Sequence, residues 1–334
     1  EMGRHSFGKA PPVHLFDKKM TVYPCAKLPW LRLLLDRLSL PFRQAIVSPS
    51  KSRQPVVAVR DARLGGQMDT QLLLILVLTF VIHLVGTLAY AFRIAGIRTG
   101  HIAIAFSLFN LLVLVSRISN SFQAPFLAKR VENAINDVAM HDLRIDFALV
   151  LVSASLATLL GGALIPTVQR YASRGVAAFK RDRSMLRLMG RSLTARGMTV
   201  LASSAAWPRW GTFRRQGGFP ALPVGMVVLN AAVSALWTVG VLSAIYAGVL
   251  DPQYRVTAST LSALINGGAT IAMFVLVDPY LAGLTDDVVA GEEGEGHFRR
   301  IVAWMVAGRF AGTLLAQLLL VPSAHLIVVT ARWI

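Results

Sequence analysis

Arginine buried in apolar sequence is the feature of this chain with chemical potential. Arg117 and Arg309 each interrupt a long apolar run, and Arg93 and Arg98 directly follow a third run that contains His83. A charged guanidinium facing lipid costs from about 3 to more than 10 kcal/mol, so it has to be paired or turned toward water. The one acid inside the apolar runs is Asp278, which can pair with Arg309 or Arg93 but cannot neutralise the set. The surplus is cationic, and a planar guanidinium fork suits two oxygens of a phosphate. The expected ligand is therefore anionic. For Arg117 a second reading stays open, in which it snorkels to the outer headgroups. His83 is read either as a hydrogen-bonded packing residue or as a proton relay.

Polar residues recur beside these cations. Thr79, His83, Thr87 and Tyr90 form one row; Ser107, Asn110, Arg117 and Asn120 form a second. Asn230, Ser234 and Thr238 repeat every four residues, as do Arg309, Thr313 and Gln317, and Ser259, Ser262, Asn266 and Thr270 recur at three, four and four. Single Ser or Thr residues can bond back to their own helix. Five rows with two arginines are read as faces around a hydrated cavity, with interhelical hydrogen bonding as the alternative. The candidate binding residues are Arg93, Arg98, Arg117, Arg309, His83, Asn110 and Gln317.

The elements that must position them are membrane helices. The chain has 334 residues, 54% hydrophobic, 15% charged, with mean hydropathy +0.57. Soluble chains carry about 25% charge. Six stretches, 71–92, 102–122, 147–166, 222–250, 257–281 and 301–321, are long and apolar enough to cross roughly 30 Å of hydrocarbon. They lack the alternation of barrel strands. The expected fold is an all-α polytopic bundle of about six transmembrane helices. Pro166 and Pro322 are expected to end their helices, leaving residues 324–334 at the interface. Gly308 and Gly312 form a GxxxG pair that allows close approach within the chain or in a homodimer through the last span.

Orientation follows from loop charge. The loops 93–101, 167–221 and 282–300 hold fifteen Lys and Arg, against five on the opposite side. This puts the 167–221 loop in the cytoplasm. Residues 1–67 carry twelve more Lys and Arg, and counting them would erase the bias. They are expected to be a basic extension, disordered or outside the native protein, with a lipid-binding arm as the alternative; the membrane domain is 68–334. Taking the basic side as inside and about 1.5 Å of rise per residue, Arg93 and Arg98 lie at the inner mouth and Arg309 roughly 12 Å in. His83 is then near the middle, and Arg117 about two thirds of the way out. Within the long loop, Phe179, Leu186, Met189 and Leu193 share one helical face and Lys180, Arg181, Arg183, Arg187 and Arg191 fill the rest. This predicts a basic amphipathic helix on the inner leaflet, an orientation anchor or a docking surface for anionic lipid.

Catalytic patterns are missing. No Walker loop, HExxH or GxSxG occurs. Pro322-Ser323-Ala324-His325 differs by one residue from the PSGH motif of phosphatidic-acid-type phosphatases, but the nine residues that follow hold no acid and no second His. Asp137, His141, Asp142 and Asp146 read as a solvated outer face rather than a metal site, and Asp286, Asp287, Glu292, Glu293 and Glu295 as a solvated turn. The single Cys25 excludes a disulfide framework and a CxxC pair. No cofactor, metal or nucleic-acid partner is expected. In a membrane protein the net charge of +17 reports orientation first.

The stretch 80–129, FVIHLVGTLAYAFRIAGIRTGHIAIAFSLFNLLVLVSRISNSFQAPFLAK, resembles the alternate lipid II flippases of bacteria, the Amj type. The likeness is densest at His83 with Thr87-Leu88-Ala89-Tyr90, at Arg93 with Gly96-Ile97-Arg98-Thr99, and from Ser107 through Asn110 to Arg117. It returns in Gly308-Arg309 through Gly312 to Gln317. The resemblance implies a transporter, not an enzyme. It would move lipid II, the undecaprenyl-pyrophosphate-linked peptidoglycan precursor, from the inner to the outer leaflet of a bacterial plasma membrane, in the service of cell-wall synthesis and cell shape. Competing expectations are a non-transporting membrane scaffold and a lipid-pyrophosphate phosphatase.

Overall fold

The computed structural model describes residues 70–136, 143–207 and 223–334. The extension 1–67 and the cluster Asp137, His141 and Asp142 lie outside the described residues. The chain runs through α1 (Thr70–Thr99), α2 (Ile102–Asn136), α3 (Leu143–Asp182), the short α4 (Met185–Ser192) and α5 (Ala195–Ala202), and α6 (Val224–Leu250). A 3₁₀ turn, Pro252–Tyr254, leads to α7 (Arg255–Thr260), α8 (Ser262–Ala272), a π turn at Met273–Val277 and α9 (Asp278–Ala290). The last helix is α10 (Glu295–Trp333). Among the described residues, six helical stretches are long and apolar enough to cross a membrane and no strand occurs. The fold is the expected helical membrane bundle.

Both prolines expected as stops lie inside helices. α3 runs through Pro166 and α10 through Pro322, as α2 does through Pro125. A proline removes one amide donor and crowds the preceding turn, but in a membrane bundle neighbouring groups make up the loss and the helix continues. The segment after Pro322 is not a separate interfacial tail. Its Ala324, Ile327, Val328 and Ala331 are buried in one core with Phe147, Val150 and Tyr246. That burial outweighs the local break.

The fifth span is segmented where one helix, 257–281, was expected. Ser259 and Thr260 donate to carbonyls three residues back, Val256 and Thr257, where α7 gives way to α8. Such local bonds compete with the regular ladder. The expected amphipathic helix over 179–193 is also divided. Phe179 belongs to α3, Arg183 takes φ 45°, and Ser184 caps α4 by accepting from the Arg187 amide.

Glycines set the helix contacts. A β-carbon at Gly308 would stand 2.8 Å from the Val227 carbonyl, and one at Gly312 would run into the Ala231 carbonyl, so α10 lies backbone to backbone on α6. The small-residue face of the last span is thus packed within the chain. At Gly161 a β-carbon would stand 2.8 Å from Thr87 Cβ, which brings α3 against α1. Asp146 is not solvated, as the sequence reading had it. It is buried, and Arg130 donates to it at 2.6 Å, tying α2 to α3.

Candidate cation site and polar chamber

Arg309 enters from α10 toward α1. Its terminal nitrogen would collide with a β-carbon at position 86, so the guanidinium lies directly over Gly86. Its Nε is buried with no hydrogen-bond partner, and no described carboxylate or carbonyl accepts from the group. His83 and Tyr90 flank Gly86 along the same helix. The α1 row of Thr79, His83, Thr87 and Tyr90 is entirely buried. Asn230 of α6 donates to the Met305 carbonyl at 2.7 Å, fixing α6 one turn of α10 before the guanidinium.

Asp278, the acid that could have paired with Arg309, is taken by Arg93. Nη2 of Arg93 donates to its carboxylate at 2.7 Å, and the guanidinium also lies 5.0 Å from the Phe106 ring centroid. Asp278 opens α9 just after the π turn, which carries it to the end of α1. Arg98, at the rim, donates at 2.7 Å to Glu295, which Arg299 also approaches at 3.3 Å. Glu295 is therefore a rim partner and not part of a free acidic turn.

The structure does not bring Arg117 and Asn110 to Arg309. Both are exposed along the outer face of α2, beside Leu114 at 56% and Ile118 at 59% exposure. Gln317 is half-buried, two turns along α10 from Arg309.

One helical turn from Gly86, His83 lines a cavity of about 190 Å³. Thr79, Ile82, Asn120, Gln123, Trp237, Thr238, Val241, Leu242, Asn266 and Thr270 complete its wall. Gln123 Nε2 donates to Thr79 Oγ1 at 2.5 Å. The imidazole Nδ1 of His83 and the Oδ1 of Asn266 are buried without partners. Four of the five expected polar rows reach this chamber, from the first, second, fourth and fifth spans. The sixth contributes Arg309 beside it. Whole-ligand sites usually enclose about 300–1,000 Å³, so this chamber takes several waters or one compact part of a larger head.

Gly86, Gln123, Trp237 and Asn266 carry the geometry and were not among the residues singled out as a site. For Gly86 the available signal was its place three residues after His83, on the same face. For Asn266 it was membership of a polar row.

A family described as Amj, Alternate to MurJ, matches residues 78–331. Among characterised proteins, the chain is 35% identical over 269 residues to "Lipid II flippase Amj" of Bacillus subtilis (strain 168), covering 80% of this chain and 98% of that protein. No solved structure matches.

Proposed function

The chain belongs to the Alternate to MurJ (Amj) family, and from that premise we propose that it is a lipid II flippase working through Arg309. It is a multi-pass membrane transporter and not an enzyme; moving lipid II breaks no bond and requires no nucleophile. We place it in the bacterial plasma membrane with the 167–221 segment inside, on the loop-charge bias. The observation that carries the role of Arg309 is its unpaired guanidinium at membrane depth. An uncompensated charge there is retained at several kcal/mol of cost, which a phosphate ligand would offset.

The inner-rim pairs supply the entry. Arg98 and Glu295 are both partly exposed, and such pairs are worth about 0–1 kcal/mol, so a pyrophosphate can displace the carboxylate. Arg93 exchanges Asp278 for the same ligand one turn deeper, and Arg309 holds it midway. Arg117 receives it near the outer headgroups. Gln317 takes a supporting polar role, and His83 faces the passing head; Asn110, exposed on α2, is left out of the path. The polyprenyl tail stays in lipid throughout. The basic residues of α4, with Leu186 and Leu193 exposed beside them, hold anionic lipid at the inner leaflet.

The test is replacement in a cell depleted of its main lipid II flippase. Supplying this protein is expected to clear precursor from the inner leaflet, and Arg309→Gln to fail at equal membrane abundance. Continued accumulation with well-inserted wild-type protein ends the transport reading. Equal rescue by Arg309→Gln ends the role of the arginine.

A further inference from the structure

The chamber beside Arg309 differs from it in chemistry. No residue lining the chamber carries a full charge apart from the ionisable ring of His83. Its polar groups are amides and hydroxyls, and one wall is the Trp237 indole. Asn266 Oδ1, packed against Gly240 of α6, and His83 Nδ1 are each buried without a hydrogen-bond partner. Inside a bilayer such groups cost several kcal/mol each unless something polar meets them. Amides donate and accept at once, which matches a ligand that carries several hydroxyls and an amide. A broad aromatic face adds an apolar wall suited to the C–H side of a sugar ring.

We infer that this chamber is a sugar subsite, built to take the first carbohydrate ring of a glycosyl-pyrophosphate lipid while Arg309 holds the pyrophosphate. The inference rests on the flippase reading and extends it to the part of the head that gives specificity. With the basic side inside, Arg309 lies inward of the chamber. In lipid II the pyrophosphate stands between tail and sugar. A head with phosphate at Arg309 and sugar in the chamber therefore points outward, as it must after crossing. The conformation described is a late step of transport, and the 190 Å³ chamber grips one ring and not the whole head.

The experiment measures binding of two probes to the full chain in lipid nanodiscs: lipid II, and undecaprenyl pyrophosphate without sugar. Wild-type protein is expected to bind lipid II at least about tenfold more tightly, the worth of one to two good hydrogen bonds. Asn266→Leu should bring the two affinities within about twofold while leaving the sugar-free lipid unaffected. Because Asn266 Oδ1 packs closely on Gly240, Asn266→Leu is read together with a variant that leaves that helix contact intact. Trp237→Leu, at the partly exposed wall, is the second variant should the first fold poorly, and it should narrow the ratio likewise. Arg309→Gln should weaken both probes and keep their ratio. Equal wild-type affinity for both probes, or a ratio untouched by Asn266→Leu and Trp237→Leu, overturns the sugar subsite and leaves the flippase reading standing. Binding of neither probe by the wild-type protein overturns both.

Discussion

At the scale of single residues, Arg309 and Gly86 form one device. The absence of a β-carbon at 86 is what lets the guanidinium lie against α1. Gly86→Ala should therefore displace the charge without removing it. We expect normal insertion and a fall in lipid II transport of about tenfold or more, read by precursor accumulation in a flippase-depleted cell. Transport at the wild-type rate would mean the charge has no fixed position. A contrasting pair is Arg130 and Asp146, both buried and well aligned. Asp146→Asn should destabilise the purified protein by about 3–5 kcal/mol, whereas Arg130→Met with Asp146→Leu should regain most of that, in denaturant titrations in detergent. The arginines were legible in the sequence because a charge in an apolar run is conspicuous. Which of them Asp278 neutralises was not, because a partner in another helix is fixed by packing. Gly86 was silent for the same reason: its role exists only once α10 is laid across it.

At the scale of elements, the tightest join is that of α10 on α6. A β-branched side chain at 312 meets a backbone carbonyl, which cannot swing aside as a side chain can. Gly312→Val should lower the melting temperature well beyond the effect of Gly100→Ser, although Gly100 has φ +65° and an open surround. Similar melting temperatures for the two would show that the helices separate easily. Five spans were legible as single apolar runs because length and hydropathy alone define them. The helix ends and the breaks in the fifth span were not. Pro322 obeys a local rule that the burial of Ala324 and Ile327 overrides, and Pro166 one that the burial of Ala172 and Val176 overrides. The division of α7 from α8 depends on hydroxyl bonds that a hydropathy profile does not register.

At the scale of the whole molecule, sidedness and passage are the remaining questions. Leu193 is 80% exposed at the end of α4, in the segment assigned to the inside. In a Cys25→Ser background, Leu193→Cys should resist a membrane-impermeant maleimide in intact cells and react once they are opened. Labelling of intact cells would reverse the assigned orientation and, with it, the direction in which the chamber faces. The central claim is that the unpaired Arg309 carries the pyrophosphate of lipid II across the bilayer. Its most direct measurement uses purified protein in vesicles with fluorescent lipid II and a membrane-impermeant quencher. The account predicts that wild-type protein brings inner-leaflet lipid II to the quencher far faster than protein-free vesicles do. Arg309→Gln, equally incorporated, should be slower by at least about tenfold, the worth of a charge-assisted contact. Equal rates for variant and wild type, or a wild-type rate no faster than that of empty vesicles, would contradict it.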